Sequence, residues 1–237
     1  MLRNLILTGG IGHDFEAAAS SLRDILAEAG IASEITTDLE AGCASLAGGA
    51  FDLVTVYALR WRMLGSDKYA PHRARFAFTP SAAARRALTE HVAAGRGLLG
   101  LHTACICFDD WPEWKDLLGG IWQWGSSFHP PCGPVEVRKS ERSHVITDGV
   151  SRFRLTRDEV YSNLDLASDI EPLLVASAEK SGETTSGSWP VLWARQVGRG
   201  RVVYDALGHD KTSLDHPAHR QLLCRSALWS SVSARTI

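Results

Sequence analysis

The chain has 237 residues, a formal net charge of −2 and 45% hydrophobic residues, enough to build and bury the core of one large α/β domain. The near-neutral balance leaves no electrostatic footprint for nucleic acid or an acidic membrane surface, and no run approaches the ~18 apolar residues that span a bilayer. Five cysteines (Cys43, Cys105, Cys107, Cys132 and Cys224) are odd in number and contain no Cys-x-x-Cys pair, which favours a reducing, cytoplasmic setting over a disulfide framework.

In chain order, residues 5–7 form an apolar first strand rather than a signal-peptide core. They end at Gly9-Gly10-Ile11-Gly12-His13-Asp14, a glycine-rich loop that opens onto a helix. That helix, residues 15–29, spaces Phe15, Ala19, Leu22, Ile25 and Leu26 along one face, and Gly30 stops it. Residues 31–36 and 51–57 read as the next strands, with a short helix and turn over 38–48. Residues 60–80 are irregular and rich in Arg, Tyr and Phe. Thr79-Pro80-Ser81 precedes a helix over 82–94, and residues 97–101 form the strand that delivers His102.

Beyond a Trp-rich stretch the texture changes to short strands at 135–138, 173–178, 190–196 and 201–206. Val197-Gly198-Arg199-Gly200 connects the last two as a hairpin, and a final helix covers 216–231. Alternating strands and helices imply a parallel sheet with helices on both faces. The expected fold is therefore a flavodoxin-like, doubly wound, mostly parallel α/β sheet, with the hairpin adding an antiparallel extension at an edge. One domain is expected over residues 1–231, followed by a tail, 232–237.

The chemistry centres on Gly97-Leu98-Leu99-Gly100-Leu101-His102-Thr103-Ala104. A buried strand stops abruptly at a histidine, on the kind of tight turn that holds a side chain above the carboxyl edge of a sheet. An imidazole there brings acid/base and metal-ligand chemistry, and is a poor stable acyl carrier. His13 and His209 also follow strands, so loops gathered on one sheet edge bring them towards His102. Glu159 and Tyr161 alternate about Val160 and share one face of a strand. Glu159 is the leading carboxylate, whereas Asp158 reads as an ordinary solvated acid. His129 sits in a Trp- and Pro-rich loop with Trp122 and Trp124 nearby. His144 reads as a turn cap; His72, His91, His216 and His219 read as surface.

These readings give His102, Glu159 and His209 as catalytic candidates, and His13, Trp122, Trp124 and Tyr161 as substrate-binding ones. His102, His129, Glu159 and His209 form a candidate metal set, because imidazoles with a carboxylate suit Zn²⁺ or Mn²⁺. Cys105 comes three residues too late for the elbow that a nucleophilic thiol would need.

The order of Gly10-Ile11-Gly12-His13, Gly100-Leu101-His102-Thr103-Ala104, Leu118-Gly119-Gly120, Phe128-His129, Ser143-His144-Val145-Ile146, Asp158-Glu159-Val160-Tyr161, Gly198-Arg199-Gly200-Arg201 and Leu207-Gly208-His209 resembles the ThuA-like, or trehalose-utilisation, family. The resemblance covers nearly the whole chain and implies a branch of the class I glutamine amidotransferase-like superfold. Amidotransferases of that superfold carry a cysteine at the elbow, where this chain has His102, so the resemblance argues against glutamine hydrolysis. It implies instead the handling of trehalose-like disaccharides or their 3-keto derivatives, alongside a partner sugar oxidoreductase.

Two functions follow. In the first, an enzyme acts on a disaccharide or 3-keto sugar by His/Glu acid–base chemistry, with His102 or Glu159 as base and with or without a divalent metal. The second is a non-catalytic sugar-binding or regulatory protein that uses the same cleft. An amidase working through Cys105 ranks below both. The expected partner is a small carbohydrate, with neither nucleic acid nor membrane, and nothing in the sequence excludes a homo-oligomer.

Overall fold

A nearly unbroken apolar run, Leu5 to Leu7, opens the fold as the middle of strand β1 (Leu2–Gly10), buried on both faces. Such burial is the signature of a strand inside a parallel sheet. The structure, a computed structural model, describes residues 1–180, 183–184 and 187–231; the expected tail 232–237 lies outside them.

Helix α1 (Phe15–Glu28) turns Ala18, Ala19, Leu22, Ile25 and Leu26 onto the sheet, and the Asp14 carboxylate caps it by accepting from the Ala17 N–H at 3.1 Å. Then follow β2 (Ile31–Thr36), α2 (Leu39–Leu46), β3 (Leu53–Leu59), α3 (Arg73–Phe76), α4 (Ala82–Ala93), β4 (Gly97–Leu101), α5 (Glu113–Leu118) and β5 (Gly120–Ile121). The second half holds β6 (Gly133–Lys139), β7 (Phe153–Asp158), β8 (Asp165–Leu166), β9 (Pro172–Lys180), β10 (Glu183–Thr184), β11 (Trp189–Val197), β12 (Gly200–Asp205), α6 (Lys211–Leu214) and α7 (Pro217–Ser231).

Ten strands make one mixed sheet in the order β2-β1-β3-β4-β12-β11-β9-β6-β7, with β10 paired to β9. Strands β2, β1, β3, β4 and β12 run parallel, and from β11 onward the pairing is antiparallel. Right-handed crossovers put α1 on one face beside α7, and α2 on the other beside α4. The β11–β12 hairpin is not at an edge, as its sequence suggested. Val202, Val203 and Tyr204 are buried on both faces, so β12 lies mid-sheet with Val203 opposite Leu99 of β4.

Two histidines read as surface are core residues. His91 shares a 3.1 Å hydrogen bond between Nε2 and the Gly97 carbonyl, and His219 pairs with the equally buried Asp205 at 3.2 Å. His72 is exposed, as expected. His144 is the turn cap its sequence suggested, with Nδ1 accepting from the Ile146 N–H at 3.2 Å.

The parallel strands set the site. Chain order reverses between β1 and β3, and at such a switch point the loops diverge and leave a crevice at the carboxyl edge. Gly10 sits there at φ +148°, and a Cβ on it would lie 2.4 Å from the Leu59 carbonyl oxygen. Gly10→Ala is therefore expected to destabilise the fold by about 2–4 kcal/mol. Urea unfolding measures this, and an unchanged midpoint would contradict the close approach of β1 to β3.

Candidate functional site

His102 is held in a strained position by the core beneath it. At φ +45° it occupies the left-handed region, which costs a side-chain-bearing residue of order 1–3 kcal/mol. The Tyr204 hydroxyl donates to the His102 carbonyl at 2.7 Å, Thr103 Oγ1 donates to the Ala58 carbonyl at 2.6 Å, and the Trp114 indole donates to the Ala104 carbonyl at 2.9 Å. Every one of these partners is buried. The imidazole itself is fully buried, and its Nδ1–H donates to the Ala206 carbonyl at 2.8 Å.

A carbonyl only accepts, so that bond fixes the proton on Nδ1 and leaves Nε2 with a lone pair in the neutral ring. His13 is set the same way, with Nδ1 3.4 Å from the Ile11 carbonyl. The two Nε2 atoms then face each other at 3.2 Å. Glu159 Oε2 lies 3.4 Å from His102 Nε2 and 3.5 Å from His209 Nδ1. His13, His102, Glu159 and His209 each offer one ligand atom, all within 4.8 Å of one another.

Lone pairs and a carboxylate converging this closely repel unless a proton or a cation sits among them. A tetrahedral ion with bonds of about 2.0–2.1 Å spaces its ligand atoms roughly 3.3 Å apart. Three of the spacings, 3.2, 3.4 and 3.5 Å, match that arrangement, and the whole set lies within 4.8 Å, so an ion there would draw the remaining atoms inward. Zn²⁺ and Mn²⁺ both suit three imidazoles and a carboxylate.

Burial, helped by His102 and His209, pulls the His13 imidazole down to about 4. Burial alone would raise Glu159, but its hydrogen-bonding imidazoles His102 and His209 outweigh that and hold it below the carboxylate range. Glu159 in turn raises His209 against its own burial. Burial pushes the Tyr161 phenol well above its ordinary value, so its O–H stays protonated beside the centre, with the oxygen 3.1 Å from His102 Nε2.

Glu159 and Tyr161 are not on a strand as their alternation suggested, since β7 ends at Asp158 and both lie just beyond it. They still converge on His102. His129 stands across Glu159, 3.6 Å from Oε1 and half exposed, and His13 takes the place in the four-atom set that the sequence reading gave to His129. The Trp122 ring lies 5.3 Å from Tyr161 and 6.1 Å from His129. Trp124 is 41% exposed and stacks on Trp61 away from the imidazoles.

Asp158 is the residue that sequence reasoning missed. It is 1% exposed rather than solvated, and accepts from the backbone N–H of Glu159 (2.7 Å), Gly208 (2.9 Å) and His209 (3.2 Å), and from the Ser213 hydroxyl. One carboxylate thus ties the Glu159 segment to the His209 loop. Its place at the end of β7, beside Glu159, was the only local signal. Cys105, by contrast, is a buried thiol pushed up to about 12 by burial, which removes the thiolate that a nucleophile needs.

Residues 3–230 match the profile of the ThuA family, described as trehalose utilisation. The chain belongs to the ThuA family. Its fold is similar to that of a ThuA-like protein from Parabacteroides merdae ATCC 43184, with a TM-score of 0.77 and 17% identity over 100% of this chain and 92% of that one. A ThuA-like protein from Bacteroides uniformis ATCC 8492 follows, with a TM-score of 0.67 and 20% identity over 97% and 91% of the two chains. A cytoplasmic protein from Salmonella typhimurium has a TM-score of 0.60 and 14% identity over 96% and 99%. Identities this low speak for the fold alone. No curated protein matches the chain in sequence. Among the described residues, no helix of this ThuA protein is long and apolar enough to cross a membrane.

The depressed His13 value has a sign that can be checked. Its folded value of about 4 lies below the ordinary 6.5, so the unfolded chain binds the extra proton between these pH values. The contribution of neutral His13 to stability is present above about pH 6.5 and is lost as pH falls towards 4. In chelator-stripped protein, the NMR titration of the His13 ring is expected to have its midpoint near 4; a midpoint near 6.5 would contradict the packing described.

Proposed function

We propose that this ThuA protein is an enzyme of carbohydrate metabolism that acts on a disaccharide or its 3-keto derivative at a divalent-metal centre held by His13, His102, Glu159 and His209. The observation that carries this reading is the convergence, on the carboxyl edge of the sheet, of four ligand atoms that lie within 4.8 Å of one another. The family description supports the sugar, and the side chains support the chemistry. Bound there, Zn²⁺ or Mn²⁺ would act as a Lewis acid on a sugar carbonyl or hydroxyl.

The remaining groups divide the work of moving protons. In a 3-keto glycoside the C2–H is acidified by the neighbouring carbonyl. With His102 and Glu159, the bases of the sequence reading, taken up as ligands, the base in this reading is His129, which lies outside the ligand set with Glu159 Oε1 3.6 Å from its ring. The electron pair left at C2 forms the C1=C2 bond and expels the glycosidic oxygen, which takes up a proton. Tyr161 holds its O–H over the centre as a donor to developing negative charge. Trp122 gives a flat apolar wall for a sugar ring. A partner oxidoreductase that installs the ketone, a soluble cytoplasmic setting and a flavodoxin-like relationship for the parallel half belong to the same reading.

The test is turnover of trehalose and 3-keto-trehalose by protein as purified, after chelation, and after zinc or manganese is returned. Activity is expected to vanish on chelation and return with metal. His102→Ala, which removes a ligand of the centre, is expected to lose at least ~100-fold, whereas Cys105→Ser stays within about tenfold, or ~1.4 kcal/mol of barrier. The reverse order would move the chemistry to the thiol. Sugar binding without turnover in any metal state would make the protein a sugar-binding or regulatory one.

A further inference from the structure

Next to the four-residue cluster, a cavity of about 400 Å³ opens at the crevice between β1 and β3, lined by Gly9, His13, Thr37, Arg60, Arg75 and Phe76. His13 belongs to both the cluster and the cavity, which makes the two neighbours. The volume is within the range of small-ligand sites.

Two guanidinium groups distinguish this cavity. Arg60 and Arg75 both lie against the Phe76 ring, with their guanidinium carbons 5.3 and 4.9 Å from its centroid. Arg60 Nη1 donates to the carbonyls of Arg75 and Phe76 at 3.3 and 3.4 Å. Its Nε is buried with no hydrogen-bond partner. Its Nη2 lies over Gly9, 3.4 Å from where a Cβ would stand. Neither arginine is paired with a carboxylate among the described residues. Asp14 and Glu16 also stand at the cavity, but both are exposed, and Asp14 is engaged in capping α1. Burial and the neighbouring Arg75 charge both disfavour the charged form of Arg60, yet a guanidinium stays protonated in proteins. Two like charges flanking one ring, with donors to spare, form a fork that matches the oxygens of a carboxylate or phosphate.

We infer that this cavity is an anion subsite, and that the neighbouring centre takes, besides neutral disaccharides, sugars with a negatively charged substituent, a carboxylate or a phosphate, seated between Arg60 and Arg75. The inference rests on the proposed sugar chemistry for what the anion is attached to. A sugar acid and a sugar phosphate present the same chemistry to the two guanidiniums, and the experiment separates them.

The test is calorimetric titration of the full-length protein with glucuronate, glucose 6-phosphate and glucose, with zinc content measured on the same samples. At least one charged sugar is expected to bind about tenfold or more tighter than glucose, and the better of the two names the substituent. Arg60→Met and Arg75→Met are each expected to lose at least about tenfold in affinity for that sugar while retaining zinc. Among the described residues the Arg75 side chain donates no hydrogen bond, so its variant keeps the test informative if Arg60→Met unfolds. Equal affinity for glucose and both charged sugars would overturn the inference, as would undiminished binding in Arg75→Met. Charged-sugar binding that persists in a chain found to hold no metal would support the subsite while sinking the metal reading.

Discussion

His102 Nε2 has no free choice of neighbours. Its ring is pinned from behind by the Ala206 carbonyl, so its lone pair points at His13, Tyr161 and Glu159. Placing acceptors this close in a buried space is unfavourable unless a positive charge joins them. Much of the surrounding architecture serves that crowding. The strained elbow, the Tyr204 and Trp114 bonds beneath it, and the Asp158 bonds beside it hold groups together that would otherwise move apart.

Asp158 links this centre to the fold. Its carboxylate gathers the backbone of Glu159 and His209 together with the Ser213 hydroxyl, and the Ser213 carbonyl in turn bonds His219 Nδ1 at 2.9 Å. His219 pairs with Asp205 at the end of β12. A chain of buried polar groups therefore runs from the site to α7, and each member satisfies another. Such satisfied networks fix a single arrangement more firmly than apolar packing does, which suits ligands that must be positioned to fractions of an ångström.

The sequence announced β1, β3, β4 and β12 because they are buried on both faces and so appear as apolar runs; β4 falls where it was read, and so does the largely exposed edge strand β2. The strand at Phe153–Asp158 alternates with three arginines in or beside it, which masked its start and shifted its end past Glu159. The two-residue strands β5 and β8 have no local pattern at all. Histidines at strand ends were legible as a group because topology alone brings such loops together. That His13 and His209 approach His102 was legible; which histidine completes the four-atom set was not, since the exchange of His129 for His13 depends on side-chain distances of a few ångströms. Asp158 and His219 were misread because a polar residue's burial depends on partners outside its own segment, Gly208 for Asp158 and Asp205 for His219, and His91 because its partner, Gly97, lies on the following strand rather than on its own helix.

The central claim is that the crowded acceptors exist to hold a divalent cation, and equilibrium dialysis of metal-stripped protein against zinc tests it most directly. The account predicts one zinc ion per chain in the wild type, with binding abolished or greatly weakened in both His102→Ala and Glu159→Gln while the fold is kept. No bound zinc in the wild type, or undiminished binding in both variants, would contradict it.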